Sequence, residues 1–330
     1  MRLGITLDLG ADGDRLDERF ARLGALTDRA GALGYTMLST GEQHPTDAAY
    51  FHLPSPLLAL AALAPAARPY GMALGTGIIL LPAWDPLRLA YDAAVLDQLC
   101  GGRFSLGVAG GDRATWARFG VPAERLADRL DQTVLALKAA WRGERFDGDL
   151  VAGLGPELRP RPLQPGGPPV LVGGLAGRAL RRAAEVGDGW FAGTSHRLGD
   201  QLAAAIARYR ELCDGAGRAP GAVACNRLAV VVERAADVDR LAAPALELLR
   251  RYVGPAGVRR ADGTVLTPAD LRPGAPAVGE LAIIGTADQA REQLAAYADA
   301  GVTQLQLRIQ PAGVSDEVAR TTLELLAPHR

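Results

Sequence analysis

Lysine is almost missing from this chain: Lys138 is the only one among 36 basic residues in 330. Acidic residues number 37, so the net charge is −1. That balance offers no basic stripe for nucleic acid and no acidic tail. The lone lysine falls inside a helical pattern, away from any strand end, which argues against a Schiff-base aldolase. Cysteine is also scarce, and Cys100, Cys213 and Cys225 have no paired spacing. They form neither a zinc motif nor a disulfide frame, and they fit a reducing compartment. No cluster of His, Cys, Asp or Glu has metal-ligand spacing, so no metal is expected. Neither Gly-x-Ser-x-Gly nor Ser-x-x-Lys argues for a covalent hydrolase. The longest apolar helical stretch, 57–67, is too short for a bilayer, which needs about 20 residues. Met1 to Ile5 enters a strand at once, with no signal-peptide pattern. The expectation is a cytoplasmic protein with no membrane and no nucleic-acid partner.

What the chain does have is apolar content, 48 %, enough for a large core. Strand and helix patterns alternate almost throughout. Strands are predicted over 3–7, 36–39, 71–80, 103–108, 169–173, 189–192, 226–233 and 303–309. Helices are predicted over 19–33, 55–66, 86–99, 113–141, 176–186, 200–216, 238–252, 288–300 and 315–326. Thr286 is placed to cap the helix that follows it. Two Gly/Pro-rich insertions, about 143–168 and 254–280, interrupt the pattern, the first as a hairpin or long loop. Eight parallel strands, each followed by a helix, predict one (β/α)8 TIM barrel over 1–330; an open doubly wound sheet is the alternative.

In a barrel the chemistry sits where the strands end at their C-termini. After the second strand come Glu42, Gln43 and His44, which include groups able to relay a proton near neutral pH. Within the third lie Thr76, Gly77 and Ile78, with a glycine where a backbone or ring can come close. After the fourth, Gly110, Gly111 and Asp112 form a glycine-rich turn that lacks a complete nucleotide fingerprint. After the fifth, Gly173, Gly174, Gly177 and Arg178 open a helix whose N-terminus suits a phosphate. Plainer readings apply elsewhere. His52 and His196 read as polar loop residues, Trp84 and Trp190 as cavity lining or rim packing, and Cys100 as a buried packer.

The run Gly75-Thr76-Gly77-Ile78-Ile79-Leu80-Leu81-Pro82, continuing through Asp97-Gln98-Leu99-Cys100-Gly101-Gly102-Arg103-Phe104-Ser105-Leu106-Gly107-Val108, resembles the bacterial luciferase-like family of flavin- and deazaflavin-dependent oxidoreductases. Ile284-Gly285-Thr286 and Tyr297 to Val302 resemble it too. The resemblance implies a luciferase-like TIM barrel with a cis peptide between Gly77 and Ile78. It implies that the Gly110 to Asp112 turn holds the cofactor's ribityl side and that Gly173 to Arg178 holds its phosphate. The implied activity is a two-component monooxygenase that takes reduced FMN from a separate flavin reductase and uses O2 to oxygenate a small organic substrate. A coenzyme F420-dependent reductase or dehydrogenase is the alternative, and a non-catalytic flavin-binding protein is a third. A homodimer through helices on one side of the barrel is implied as well. The chain departs from the luciferases at Gln43, where they carry a catalytic histidine, and at Gly110, where they carry an arginine. Glu42 or His44 is then left for proton work, Arg113 is the nearby substitute cation, and light-emitting aldehyde oxidation is not expected. Selectivity is expected from the two insertions.

Overall fold

The computed structural model describes residues 1–9, 15–44, 55–151, 158–174, 177–193, 198, 200–255, 257–260, 262–311 and 313–328. The order is β1 (Arg2–Thr6), α1 (Leu16–Ala32), β2 (Met37–Thr40), α2 (Pro56–Ala67), β3 (Ala73–Thr76), α3 (Pro86–Leu99) and β4 (Phe104–Ala109). Then follow α4 (Arg113–Arg118), α5 (Leu126–Arg142), β5 (Val170–Gly173), α6 (Gly177–Glu185), β6 (Gly189–Ala192) and α7 (Asp200–Gly215). The last elements are β7 (Ala222–Val232), α8 (Val238–Val253), α9 (Ala287–Asp299), β8 (Gln304–Arg308) and α10 (Asp316–Leu325). All eight strands pair in parallel, and the ring closes because β1 pairs with both β2 and β8. The structure is a closed barrel, so the open-sheet alternative falls.

Side-chain alternation explains why the strands sit this way. In β1 and just beyond it, Ile5, Leu7 and Leu9 are fully buried under the helices. The alternating Thr6 and Asp8 carry polar groups that are buried as well. Around β8 the same period places Leu305, Leu307 and Ile309 in the apolar layer, while Gln304, Gln306, Arg308 and Gln310 are buried polar residues. Each leucine so buried contributes about 2 kcal/mol. The buried polar residues require partners, and the barrel interior supplies several (below).

Local departures from the sequence pattern have local causes. The expected strand over 71–80 breaks at the Gly77–Ile78 peptide, which is cis. Only Ile79–Leu80 resumes pairing, with β4. The expected helix over 113–141 is two helices, because Gly120 takes a positive φ of 62° and stops the first. A strand that periodicity missed, Ile283–Thr286, pairs with Ala229 to Val232 at the outer end of β7. Thr286 caps α9 through a capping box with Gln289, as expected. Among the described residues of 143–168 no paired strands occur. The hairpin lies in the second insertion, where Val258–Arg259 pairs with Val265–Leu266. That insertion packs on α8 and the outer end of β7 as a satellite core around Leu246, Leu249, Leu266 and Leu271. Among the described residues no helix is long and apolar enough to cross a membrane.

Candidate active site

The ends of β2 and β3 are zipped together by backbone. Gly77 N–H donates to the Thr40 carbonyl at 2.8 Å, and Glu42 N–H donates to the Ile78 carbonyl at 2.8 Å. Contact is so close that a Cβ on Gly41 would lie 3.0 Å from the Gly77 carbonyl oxygen. Glycine at Gly41 therefore eases this approach, since a side chain would push the Gly77 carbonyl aside by a few tenths of an ångström. The zipper carries Glu42 into a buried position at the rim, 8 % exposed.

There the Glu42 carboxylate is fully engaged. Its Oε2 accepts from Leu80 N–H and from Trp84 Nε1–H, each at 2.8 Å. Its Oε1 lies 2.7 Å from His44 Nε2. The His44 ring meets the Phe119 ring edge-on, with centroids 4.6 Å apart. A carboxylate with two fixed donors on one oxygen and an imidazole on the other is an orienting pair of the kind that sets a histidine's direction. Gln43, between them, is half-buried.

Beneath Gly77 the barrel interior is part apolar and part polar. A Cβ on Gly77 would lie 3.1 Å from Gln306 Oε1 and 3.1 Å from the Phe191 ring. Phe191, Leu171, Ala224 and Ile78 make a small apolar cluster. Beside it Thr6 Oγ1 and Ser39 Oγ are 2.6 Å apart, Ser39 also bonds Gln306 Oε1, and Asn226 Nδ2 donates to Thr6 Oγ1 at 3.0 Å. Gln306 and Asn226 are register partners on adjacent strands. Gly173 continues the glycine wall, its virtual Cβ 3.5 Å from Ile78 Cγ2.

The remaining candidates lie around this rim. The Thr76 hydroxyl donates to the Gly107 carbonyl at 2.8 Å, so it braces β3 on β4. The Gly110 carbonyl accepts from Trp116 Nε1 at 2.6 Å. Gly111, with φ of 68°, sits beside Leu80. Asp112 is the N-cap of α4 and accepts from Thr115 N–H at 2.8 Å, and Arg113 is exposed at the start of that helix. On the neighbouring strand end, Gly174 has φ of 140°, and Trp190 Nε1 donates to its carbonyl at 3.2 Å. Gly177 opens α6, with no atom of the described residues within 4 Å of where its Cβ would be, and Arg178 is exposed next to it. Leu175 and Ala176, between them, lie outside the described residues, as do His52 and His196.

Direct contacts thus link Glu42, His44, Gly77, Ile78 and Gly173 along the C-terminal ends of the strands, and Gly111 joins them through Leu80. Sequence reasoning left Trp84 as cavity lining or rim packing and did not single out Phe119, Phe191 or Gln306. A signal for Gln306 existed: three polar residues alternate with leucines in Gln304-Leu305-Gln306-Leu307-Arg308, a pattern that marks a polar barrel interior. Phe119 carried no such signal, because its contact with His44 is made across loops. Lys138 is structural, donating to Asp188 and to the Val186 carbonyl. Among the described residues no cluster suited to a metal ion is present.

The family model for luciferase-like monooxygenases matches residues 1–304. The chain belongs to the luciferase-like monooxygenase family. The oxygenase component of the flavin-dependent trigonelline monooxygenase of Acinetobacter baylyi is 30 % identical over 162 residues, 48 % of this chain and 43 % of that protein. The chain thus spans about half the length of the curated relatives it matches. Among solved structures, monooxygenase RslO1 from Streptomyces bottropensis aligns with a TM-score of 0.84 at 23 % identity, over 99 % of this chain and 98 % of that one. The coenzyme F420-dependent tetrahydromethanopterin reductase of Methanopyrus kandleri aligns with a TM-score of 0.75 at 18 % identity, over 99 % and 97 %. Members of this luciferase-like fold thus include both flavin-linked and F420-linked enzymes.

Proposed function

We propose that the chain is the oxygenase of a two-component, FMN-dependent monooxygenase acting on a small organic substrate, with reduced FMN supplied by a separate flavin reductase. What supports this reading is the row of glycines at the strand ends, Gly41, Gly77 and Gly173, beside an imidazole oriented by a carboxylate. Gly41 lets the ends of β2 and β3 approach closely, and Gly77 lets Gln306 and Phe191 pack against the backbone there, which shapes the floor a flat ring would rest on. Ile78, Gly110 and Gly111 would border the ring and its ribityl chain. The start of α6, with Gly173, Gly174, Gly177 and Arg178, would take the phosphate on free N–H groups and a guanidinium. Reduced flavin, when bound, supplies the electrons that allow O2 to deliver one oxygen atom to substrate. Glu42 holds His44, and His44 would accept or return a proton at the substrate. The buried apolar cluster around Phe191 helps keep water out of the cleft.

A second reading, an F420-dependent reductase or dehydrogenase, draws support from the M. kandleri structure and from 5,10-methylenetetrahydromethanopterin reductase of Archaeoglobus fulgidus, 29 % identical over 125 residues. A homodimer through α2 and α3 is also proposed. Leu58, Leu87, Val95 and Leu99 stand exposed on these two helices, beside a groove of about 330 Å³ that Leu57, Ala61 and Trp84 help to line. Anaerobic titration with reduced FMN and, separately, reduced F420, followed by admission of oxygen, tests the function. Tight binding of reduced FMN and an oxygen-linked absorbance transient support the monooxygenase. Binding of F420 alone, with no transient, replaces it with the reductase.

A further inference from the structure

The Glu42 carboxylate meets three nitrogens from two parts of the chain, and their arrangement is asymmetric. Leu80 N–H and Trp84 Nε1–H both donate to Oε2. Only Oε1 faces the imidazole, at 2.7 Å from Nε2. An oxygen in that place accepts, so Nε2 must carry the proton, and in the neutral ring the lone pair is then on Nδ1. Nδ1 has no hydrogen-bond partner among the described residues, and the His44 side chain keeps 10 % of its surface.

We propose that Trp84 is a positioning residue for His44. Its indole N–H, with the Leu80 amide, fixes Glu42 so that Nε2 is the protonated nitrogen of His44 and Nδ1 is the one left free to take a proton. The chain of contacts runs from the loop after β3, through one carboxylate, to the loop after β2. Trp84 touches neither the His44 ring nor the cleft floor in any hydrogen bond; it acts through Glu42. Its Nε1–H is 2.8 Å from a buried carboxylate oxygen that also serves the Leu80 amide, so the bond acts on the group that holds the imidazole. This deepens the proposed function, since it names the nitrogen that would handle the proton. The arrangement itself is independent of which cofactor binds.

The test uses the full chain, free of cofactor, labelled with 15N-histidine, and reads tautomers by long-range 15N–1H spectroscopy. The His44 signals are those lost in H44Q. Wild type is expected to show the Nε2–H tautomer. In E42Q the amide oxygen stays with the two donors from Leu80 and Trp84, so the NH2 group faces the ring and His44 switches to Nδ1–H. In W84F, which keeps an aromatic ring and removes only the donor, the Nε2–H form persists. Its proton exchanges with water roughly tenfold faster, the equivalent of one lost hydrogen bond to a charged group. An Nδ1–H tautomer in wild type, an E42Q spectrum that keeps Nε2–H, or unchanged exchange in W84F each overturns the proposal. Failure of the flavin titration with these spectra intact would instead reject the function and leave the positioning role standing.

Discussion

Arg308, the last residue of β8, places Nε 2.7 and 2.9 Å from the two carboxylate oxygens of Asp8, just past β1. Both residues are buried, and Arg308 Nη1 donates to the Tyr252 hydroxyl of α8 at 2.6 Å. The pair sits on the seam where the first and last strands meet. Burial by itself would lower the Arg308 pKa, but Asp8 and Tyr252 outweigh it and raise it.

Removing one member of this pair leaves a buried charge without its partner. Arg308→Met is expected to cost about 3–5 kcal/mol in urea unfolding, and Asp8→Leu combined with it to recover much of that loss. A single-variant cost below about 1 kcal/mol, the range of an exposed pair, would show that the seam does not depend on it.

Two glycines on the rim separate geometry from ligand contact. A Cβ on Gly107 would run into the Thr76 carbonyl, a backbone atom that cannot swing aside. Gly107→Ala is expected to lose about 2–3 kcal/mol of stability. Around Gly177 no atom of the described residues lies within 4 Å of the added atom. Gly177→Ala should leave stability within about 0.5 kcal/mol of wild type and weaken FMN binding more than riboflavin binding, if phosphate rests there. Equal weakening of both flavins would move the phosphate elsewhere.

Alkaline pH should destabilise the fold. Burial pushes the Cys100 and Cys225 thiols above 9.0, and the Tyr35 and Tyr297 phenols above 10.0, with Tyr209 pushed up to about 12. These acids hold their protons in the folded chain at a pH where the unfolded chain releases them. The unfolded state then binds fewer protons, so stability is full below the unfolded values and falls above them. Lys138 works the other way: burial lowers its pKa despite Asp188, and its cost to the fold is relieved as pH rises. One lysine does not offset five acids. The urea midpoint is expected to drop above about pH 9 and more steeply above about pH 10, and a midpoint steady to about pH 11 would contradict this.

The exposed apolar face of α2 and α3 predicts self-association. Leu58 is 73 % exposed and Leu99 45 %. Leu58→Glu with Leu99→Glu should shift sedimentation toward monomer while leaving the circular dichroism spectrum unchanged. A wild-type monomer at all concentrations would remove the dimer from the account.

Much of the barrel was legible because its signals are local. Period-two alternation, Pro56 and Pro86 at helix starts, and Thr286 as a cap are written in neighbouring residues. The extra strand Ile283–Thr286 was not legible, because four residues carry too little periodicity and its partner is some fifty positions earlier. The rim glycines were found from turn chemistry and from the family resemblance. The cis Gly77–Ile78 peptide, which the resemblance implied, stands in the structure.

By itself the sequence determined the class of fold and the strand ends where chemistry belongs, since alternation and glycine placement depend only on short-range sterics and burial. Tertiary structure alone decided what those residues do to one another. Glu42 and His44 are two positions apart, but the donors that set their arrangement come from Leu80 and Trp84. Asp8 and Arg308 are 300 positions apart and meet only because the barrel closes. Hydrogen bonds and ion pairs act over about 3 Å in space whatever the distance along the chain, so they are settled when the ring of strands is complete.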